Sequence, residues 1–226
     1  MTVSEADELA VSVIVPCFNE RDAIAETVIR IHDVLPADRH SEIIVVDDGS
    51  DDGTTEALDE TIRRIPGSLV LRHPINSGYG AALKTGIRHA KHEWIAIVDA
   101  DGSYPVSRTS DLIECIGCND MVVGARQPCG LQPQTGRDLV KKILTMYAQF
   151  LTRTRIPDIN SGMRVFRRQF ADRYAHLLPD GFSFTTTLTV SLLLEGYAVR
   201  YVPIEFGRRT GRSKIRPVRD TIGIFT

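Results

Sequence analysis

Apolar and polar positions fall in alternating blocks along the first hundred residues. Residues 11–16 (VSVIVP) and 43–46 (IIVV) are short, β-branched apolar runs, as expected of strands covered on both faces in a parallel sheet. Between them, residues 23–35 place Ile24, Val28, Ile31 and Leu35 on one helical face. The alternation continues with a helix over 54–65, a strand over 69–72, a glycine-bearing turn, a helix over 80–90 and a strand over 94–98 (WIAIV). Such strand–helix repetition predicts an α/β fold with a mostly parallel, doubly wound sheet and helices on both faces.

The second half is less regular. It predicts a helix over 112–116, a strand over 121–123, a loop over 124–136, a strand over 161–166, a helix over 185–194 and a final strand over 199–204. Over 138–151, Leu139, Ile143, Met146, Tyr147 and Phe150 form one apolar helical face. That face suits either the domain's own core or a bilayer surface with Lys141 and Lys142 at the headgroups. No repeat or low-complexity linker divides the chain, so one domain is expected over 1–226.

Composition narrows the function classes. With 226 residues, 42% hydrophobic and 25% charged, the chain reads as globular, and a net charge of −2 argues against a nucleic-acid partner. Charge is uneven: residues 42–60 are acid-rich, whereas 200–219 are rich in Arg and Lys. Residues 1–9 are polar and acidic, unlike a secretory signal, and no apolar run is long enough to span a bilayer. Cys17, Cys115, Cys118 and Cys129 are therefore expected to be reduced cytoplasmic thiols. Cys115 and Cys118 have CxxC spacing, but no second ligand pair completes a zinc site.

In open α/β sheets, ligands bind beyond the carboxyl ends of the strands. Three such ends carry polar groups: Asn19-Glu20, Asp47-Asp48 and Asp99-Ala100-Asp101. Carboxylates spaced as Asp99 and Asp101 are hard oxygen ligands suited to Mg2+ or Mn2+, although Asp at a strand end also serves ordinary turns. No GxxxxGK[ST] occurs, and no GxGxxG follows the first strand, which removes the main support for ATPase and dinucleotide-binding readings. Ser77-Gly78-Tyr79-Gly80 fits a tight turn into a helix as well as a phosphate contact.

The blocks VIVPCFNE (13–20), VVDDGSDDGT (45–54), NSGYGAALKTG (76–86) and VDADGSYP (98–105) resemble, in order and spacing, the family 2 glycosyltransferases of the GT-A fold. INSGMRVFRR (159–168), residues 181–204 and RRTGRSKIRPVRD (208–220) resemble the dolichol-phosphate-mannose synthase and polyprenyl-phosphate glycosyltransferase branch. The resemblance implies a nucleotide-sugar-binding half over 10–125 and an acceptor-binding half over 126–226. It implies that Pro16, Glu20, Val46, Asp48, Asp99, Ala100 and Asp101 contact the nucleotide sugar, and that Asp99, Asp101 and Ser103 surround the metal. Ser103 stands where the branch often has Gln, a departure that bears on metal dependence. Asp101, Arg126, Arg164, Arg208 and Lys214 are the implied catalytic and acceptor-phosphate residues, with Arg137 as a possible addition.

The implied reaction is inverting transfer of a hexose from a GDP- or UDP-sugar to a polyprenyl phosphate, by an enzyme peripheral on the cytoplasmic membrane face. Family members of this branch often continue into spanning helices near the position of Thr226. A hydroxyl acceptor would need a carboxylate base, and residues 182–187 (FSFTTT) contain none, leaving Asp180 or Glu195. A lipid phosphate is already ionised and needs cations instead, which Arg208, Arg209, Arg212, Lys214 and Arg216 offer. Two alternatives remain open here: transfer to a polysaccharide or glycolipid hydroxyl, and an inactive nucleotide-sugar-binding module.

Overall fold

The computed structural model describes residues 9–35, 40–127 and 136–207, with side chains described from Lys142 onward in the last stretch. Among these residues, seven strands form one sheet in the order β3-β2-β1-β4-β6-β5-β7. They are β1 (Val11–Cys17), β2 (Glu42–Asp47), β3 (Ser68–Arg72), β4 (Trp94–Ile97), β5 (Met121–Gln127), β6 (Arg164–Arg167) and β7 (Val199–Glu205). All neighbouring pairs are parallel except those of β6, which runs antiparallel to both β4 and β5.

The β-branched runs alternate cleanly between two cores. Val11, Val13 and Val15 of β1, with Ile43 and Val45 of β2, pack beneath α1 (Ile24–Val34), α2 (Thr54–Ile62) and α4 (Thr109–Glu114). Ile14, Ile44 and Val46 face the opposite side, under α3 (Tyr79–His89), α6 (Arg168–Arg173) and α7 (Phe184–Leu194). Helix α5 (Gly136–Thr152) joins α7 through a smaller cluster of Ala148, Ile156, Ile159 and Leu193. The side-chain period of two dictates this division, since a one-residue slip would exchange the cores.

Three elements depart from the sequence expectation. Strand β5 runs through Gly124 to Gln127, where a loop was expected from residue 124. Gly124 packs closely there: a Cβ would lie 2.8 Å from Ile204 Cδ1, the end of a side chain that can turn aside. Helix α6 follows β6 with no intervening residue. The strand expected over 161–166 begins only at Arg164, because residues 161–163 form the turn that enters it.

Helix α3 is seated by glycines. Gly78 has φ of +108°, and a Cβ on Gly80 would lie 2.1 Å from the Pro179 carbonyl oxygen. Ala81 N–H donates to the Asp180 carbonyl at 3.1 Å, so the start of α3 rests directly on residues 179–181. Replacing Gly80→Ala must displace backbone rather than a flexible side chain. It is expected to lower stability by about 1–3 kcal/mol, read as an earlier urea midpoint with unchanged slope; a midpoint equal to or above wild type would contradict the packing described.

Candidate functional site

Parallel pairing brings the acidic strand ends together. Cys17 is the register partner of Asp47, and Asp48 N–H donates to the Cys17 carbonyl at 2.9 Å, so the loops leaving β1 and β2 start side by side. β4 lies on the other flank of β1, and Val98 N–H donates to the Ile14 carbonyl, placing the Asp99-Ala100-Asp101 turn at the same edge.

Each carboxylate is oriented by named donors. Asp47 accepts from Ser50 N–H (3.0 Å) and Thr55 Oγ1 (2.6 Å). Asp48, buried, accepts from Ser77 N–H (2.9 Å) and Gly78 N–H (2.8 Å), and its Oδ1 lies 2.6 Å from His73 Nδ1. Tyr79, next in sequence, donates its hydroxyl to Asp99 Oδ1 at 2.8 Å. The Ser77–Tyr79 turn therefore bridges the two acidic strand ends. The Tyr79 ring stacks on Phe182 at 5.4 Å, and burial together with the Asp99 charge pushes its phenol well above the ordinary tyrosine range.

The Asp99–Ser103 turn is tied down from several sides. Thr27 Oγ1 donates to the Ala100 carbonyl at 3.2 Å, and Gly207 N–H donates to the Ser103 carbonyl at 2.9 Å. Gly162 packs flat on the Asp99 carboxylate, where a Cβ would lie 2.3 Å from Oδ2. Ser103 is buried and gives both its N–H (3.0 Å) and its hydroxyl (2.5 Å) to Asp101 Oδ1. Its hydroxyl thus orients Asp101 and is not presented outward as a ligand. Asp99 and Asp101 are half-buried oxygen donors. No group of three His, Cys, Asp or Glu able to hold a metal occurs among the described residues. Two carboxylates fit an ion of the Mg2+ type, which completes its coordination with water and substrate phosphates.

Of the other expected nucleotide contacts, Glu20 is buried at the entry to α1, its N–H donating to Thr54 Oγ1 at 2.9 Å, and Pro16 is buried opposite Val46 in the β1–β2 ladder. Val46 is its partner in that ladder, and strand alternation turns the Val46 side chain into the second core.

Arg164 is a correction. Its guanidinium is fully buried, bonded to the Ser161 and Thr185 carbonyls and to Thr189 Oγ1 (2.9 Å), and burial lowers its pKa. It pins the Ser161 turn to α7, and it presents nothing to an acceptor. Arg126 keeps partial exposure and makes a bidentate pair with Asp158, at 2.6 and 2.8 Å. Burial opposes both charges, yet their mutual hydrogen bonds win: Asp158 is held below and Arg126 above its ordinary value.

A run of contacts joins the two regions. Gly162 N–H donates to Tyr104 Oη at 2.7 Å, Tyr104 meets Phe206 edge-on, and Arg126 lies over the Phe206 ring at 5.2 Å. Burial, with the Asp99 charge, pushes the Tyr104 phenol up to about 12. Beside Arg126 opens a pocket of about 390 Å3, lined by Lys142, Thr145, Met146 and Gln149 of α5 and by residues 157–160. Arg208 and Lys214 lie outside the described residues, as does the side chain of Arg137. Asp180 is paired with Lys84 at 2.7 Å, and Glu195 is paired with Arg173 beyond the far end of α7 from Phe182. Tyr79, Tyr104, Asp158 and Phe182 were not identified from sequence, although Tyr79, Tyr104 and Phe182 lie within the quoted blocks 76–86, 98–105 and 181–204.

Comparison with known proteins places these features in a lineage. The family described as Glycosyl transferase family 2 matches residues 12–175. The chain is 32% identical over 207 residues to the polyprenol monophosphomannose synthase of Mycolicibacterium smegmatis, covering 87% of this chain and 77% of that protein. It is 28% identical over 219 residues to the undecaprenyl-phosphate mannosyltransferase of Micrococcus luteus, covering 92% and 88%. Among solved structures, a mannosyltransferase from Pyrobaculum calidifontis, in complex with GDP-Man and Mn2+, superposes with a TM-score of 0.64 at 24% identity, covering 90% of this chain and 58% of that one. Glucosyl-3-phosphoglycerate synthase from Mycobacterium tuberculosis, in complex with Mn2+, UDP and glucosyl-3-phosphoglycerate, gives a TM-score of 0.68 at 18% identity, covering 99% of this chain and 79% of that one. Family match, relatives and fold agree: the chain belongs to glycosyl transferase family 2 and is a glycosyltransferase with the GT-A fold.

Proposed function

We propose that the enzyme transfers a hexose, with inversion, from a GDP- or UDP-sugar to the phosphate of a polyprenyl lipid. The observation that carries this reading is the pocket beside Arg126 and Lys142, linked through Phe206, Tyr104 and Gly162 to Asp99. The cations Arg126 and Lys142 in its lining suit a phosphate acceptor, and Asp158, the carboxylate that also lines it, is engaged by Arg126. The names of the mycobacterial and Micrococcus relatives support the same acceptor class.

In this reading Asp99 and Asp101 hold a divalent ion, whose chemistry is to neutralise the charge gathering on the departing diphosphate. Glu20, Asp48 and the backbone near Pro16 and Ala100 border the nucleoside side. Arg126 and Lys142 orient the lipid phosphate, one of whose oxygens forms a bond to the anomeric carbon. The bond from that carbon to the diphosphate oxygen breaks with its electron pair, and nucleoside diphosphate leaves. No proton moves, because the acceptor is already an anion. The basic residues Arg208 and Lys214 follow Gly207, which lies against Ser103, and we assign them to the same phosphates. A hydroxyl acceptor would fall to Asp180, whose pairing with Lys84 opposes a role as base.

Transfer from radiolabelled GDP-mannose and UDP-glucose to a short polyprenyl phosphate is expected to require Mg2+ or Mn2+. Asp101→Ala should lower it by at least about 100-fold. Arg126→Ala should lower lipid labelling by about 10- to 100-fold while slow donor hydrolysis persists. Donor turnover without lipid labelling would instead indicate a hydroxyl acceptor, and no turnover a binding module. In a second measurement, Tyr79→Phe keeps the stack on Phe182 but releases Asp99. The metal concentration for half-maximal activity should rise by about 2- to 10-fold; an unchanged metal requirement would remove Tyr79 from this role.

A further inference from the structure

His73 belongs to none of the motifs that mark the site, yet it reaches one of the carboxylates. Its backbone N–H continues the β3 ladder, donating to the Asp47 carbonyl at 2.9 Å. Its side chain is 14% exposed and crosses to the end of β2, where Nδ1 lies 2.6 Å from Asp48 Oδ1. Nε2 lies 3.0 Å from Thr85 Oγ1 on α3. Thr85 comes within reach because its neighbour Gly86 lets the helix lie close on the sheet, where a Cβ would be 2.6 Å from Ile14 Cγ2. One imidazole thus joins β2, β3 and α3.

The partners assign the ring hydrogen. A carboxylate accepts, so Nδ1 donates to Asp48. Thr85 Oγ1 accepts from Arg88 Nη2 at 3.0 Å and has its own hydrogen to give to Nε2. This tautomer matches each donor with an acceptor. Asp48 then takes two hydrogen bonds on Oδ1, from His73 and Ser77 N–H, and one on Oδ2, from Gly78 N–H. A carboxylate has about four acceptor positions. The fourth, on Oδ2, has no partner among the described residues, although Asp48 is only 3% exposed. A polar position so enclosed is costly to leave unmatched.

We propose that His73 is a positioning residue for nucleotide binding: braced by Thr85, its Nδ1–H fixes Asp48 so that Oδ2 offers one acceptor to a single N–H or O–H of the nucleoside. Ser77 and Gly78 approach Asp48 from one turn, and His73 approaches from another strand, so two separate elements set the plane of the carboxylate. A group ordered before its ligand arrives does not charge that ordering to binding. The effect falls on affinity for the nucleotide rather than on bond making, because Asp48 serves the nucleoside and not the reacting carbon. The proposal rests on the placement of Asp48 at the nucleoside side and goes beyond it by naming what holds that carboxylate.

The test is equilibrium dialysis of GDP and UDP against the full chain in Mg2+, with KM and kcat for donor turnover measured beside it. His73→Leu should raise the dissociation constant of the bound nucleotide at least about fivefold. KM should rise in step, with kcat within about twofold of wild type. His73→Asn should restore binding, because its amide N–H stands on Cγ as Nδ1 does, and His73→Gln, whose N–H stands one atom further out, should not. His176→Asn, at an exposed histidine elsewhere, leaves binding unchanged. An Asn variant as weak as the Leu variant, or a fall in kcat with KM unchanged, would overturn the proposal. Weak binding in Asp48→Ala with normal binding in His73→Leu would overturn it too, while leaving Asp48 at the nucleoside. Normal binding in both variants, or no binding of either nucleotide to wild type, would overturn the nucleoside reading itself.

Discussion

Four carboxylates, Asp47, Asp48, Asp99 and Asp101, stand at one edge of the sheet because β1, β2 and β4 are adjacent and parallel. A carboxylate withdrawn from water is costly unless hydrogen bonds satisfy its oxygens. Much of the surrounding structure answers that constraint. Backbone N–H groups of Ser50, Ser77, Gly78 and Ser103, and hydroxyls of Thr55, Tyr79 and Ser103, each point at one of the four. The remaining negative potential is what a divalent ion and its diphosphate partner would complete.

Close backbone approach makes those donors available. Gly78 can present its N–H to Asp48 only with a left-handed φ and with the Asp180 carbonyl against its Cα face. Gly162 lets the 161–163 turn lie on Asp99, and buried Arg164 ties that turn to α7. Packing around Arg164 is therefore mechanically joined to the Asp99 turn. A change at Arg164 would reach Asp99 through Gly162 without touching any substrate. Buried and bonded to carbonyls, Arg164 shapes the site from beneath.

Strands β1, β2 and β4 and their acidic ends were legible in sequence because strands covered on both faces leave uninterrupted β-branched runs, and turn chemistry marks where they stop. The direction of β6 was not legible. A four-residue strand reads alike in either sense, and only its pairing with both β4 and β5 fixes it. Gly124 broke the apparent strand β5 although it packs closely against Ile204. Arg126 and Arg164 looked equivalent as basic residues in matching motifs. Packing separates them: Arg126 borders the pocket, and Arg164 lies in the core. Asp158 and Phe182 find their partners 32 and 103 residues away, at Arg126 and Tyr79, and such distances leave no local pattern.

The carboxylate edge is proposed to hold a sugar nucleotide through a divalent ion. Isothermal titration calorimetry of GDP-mannose and UDP-glucose, with Mn2+ and then with EDTA, tests it directly. At least one donor is expected to bind with Mn2+, and EDTA or Asp99→Asn should each weaken that binding at least about tenfold. Equal affinity with and without the ion, or in Asp99→Asn, would contradict it.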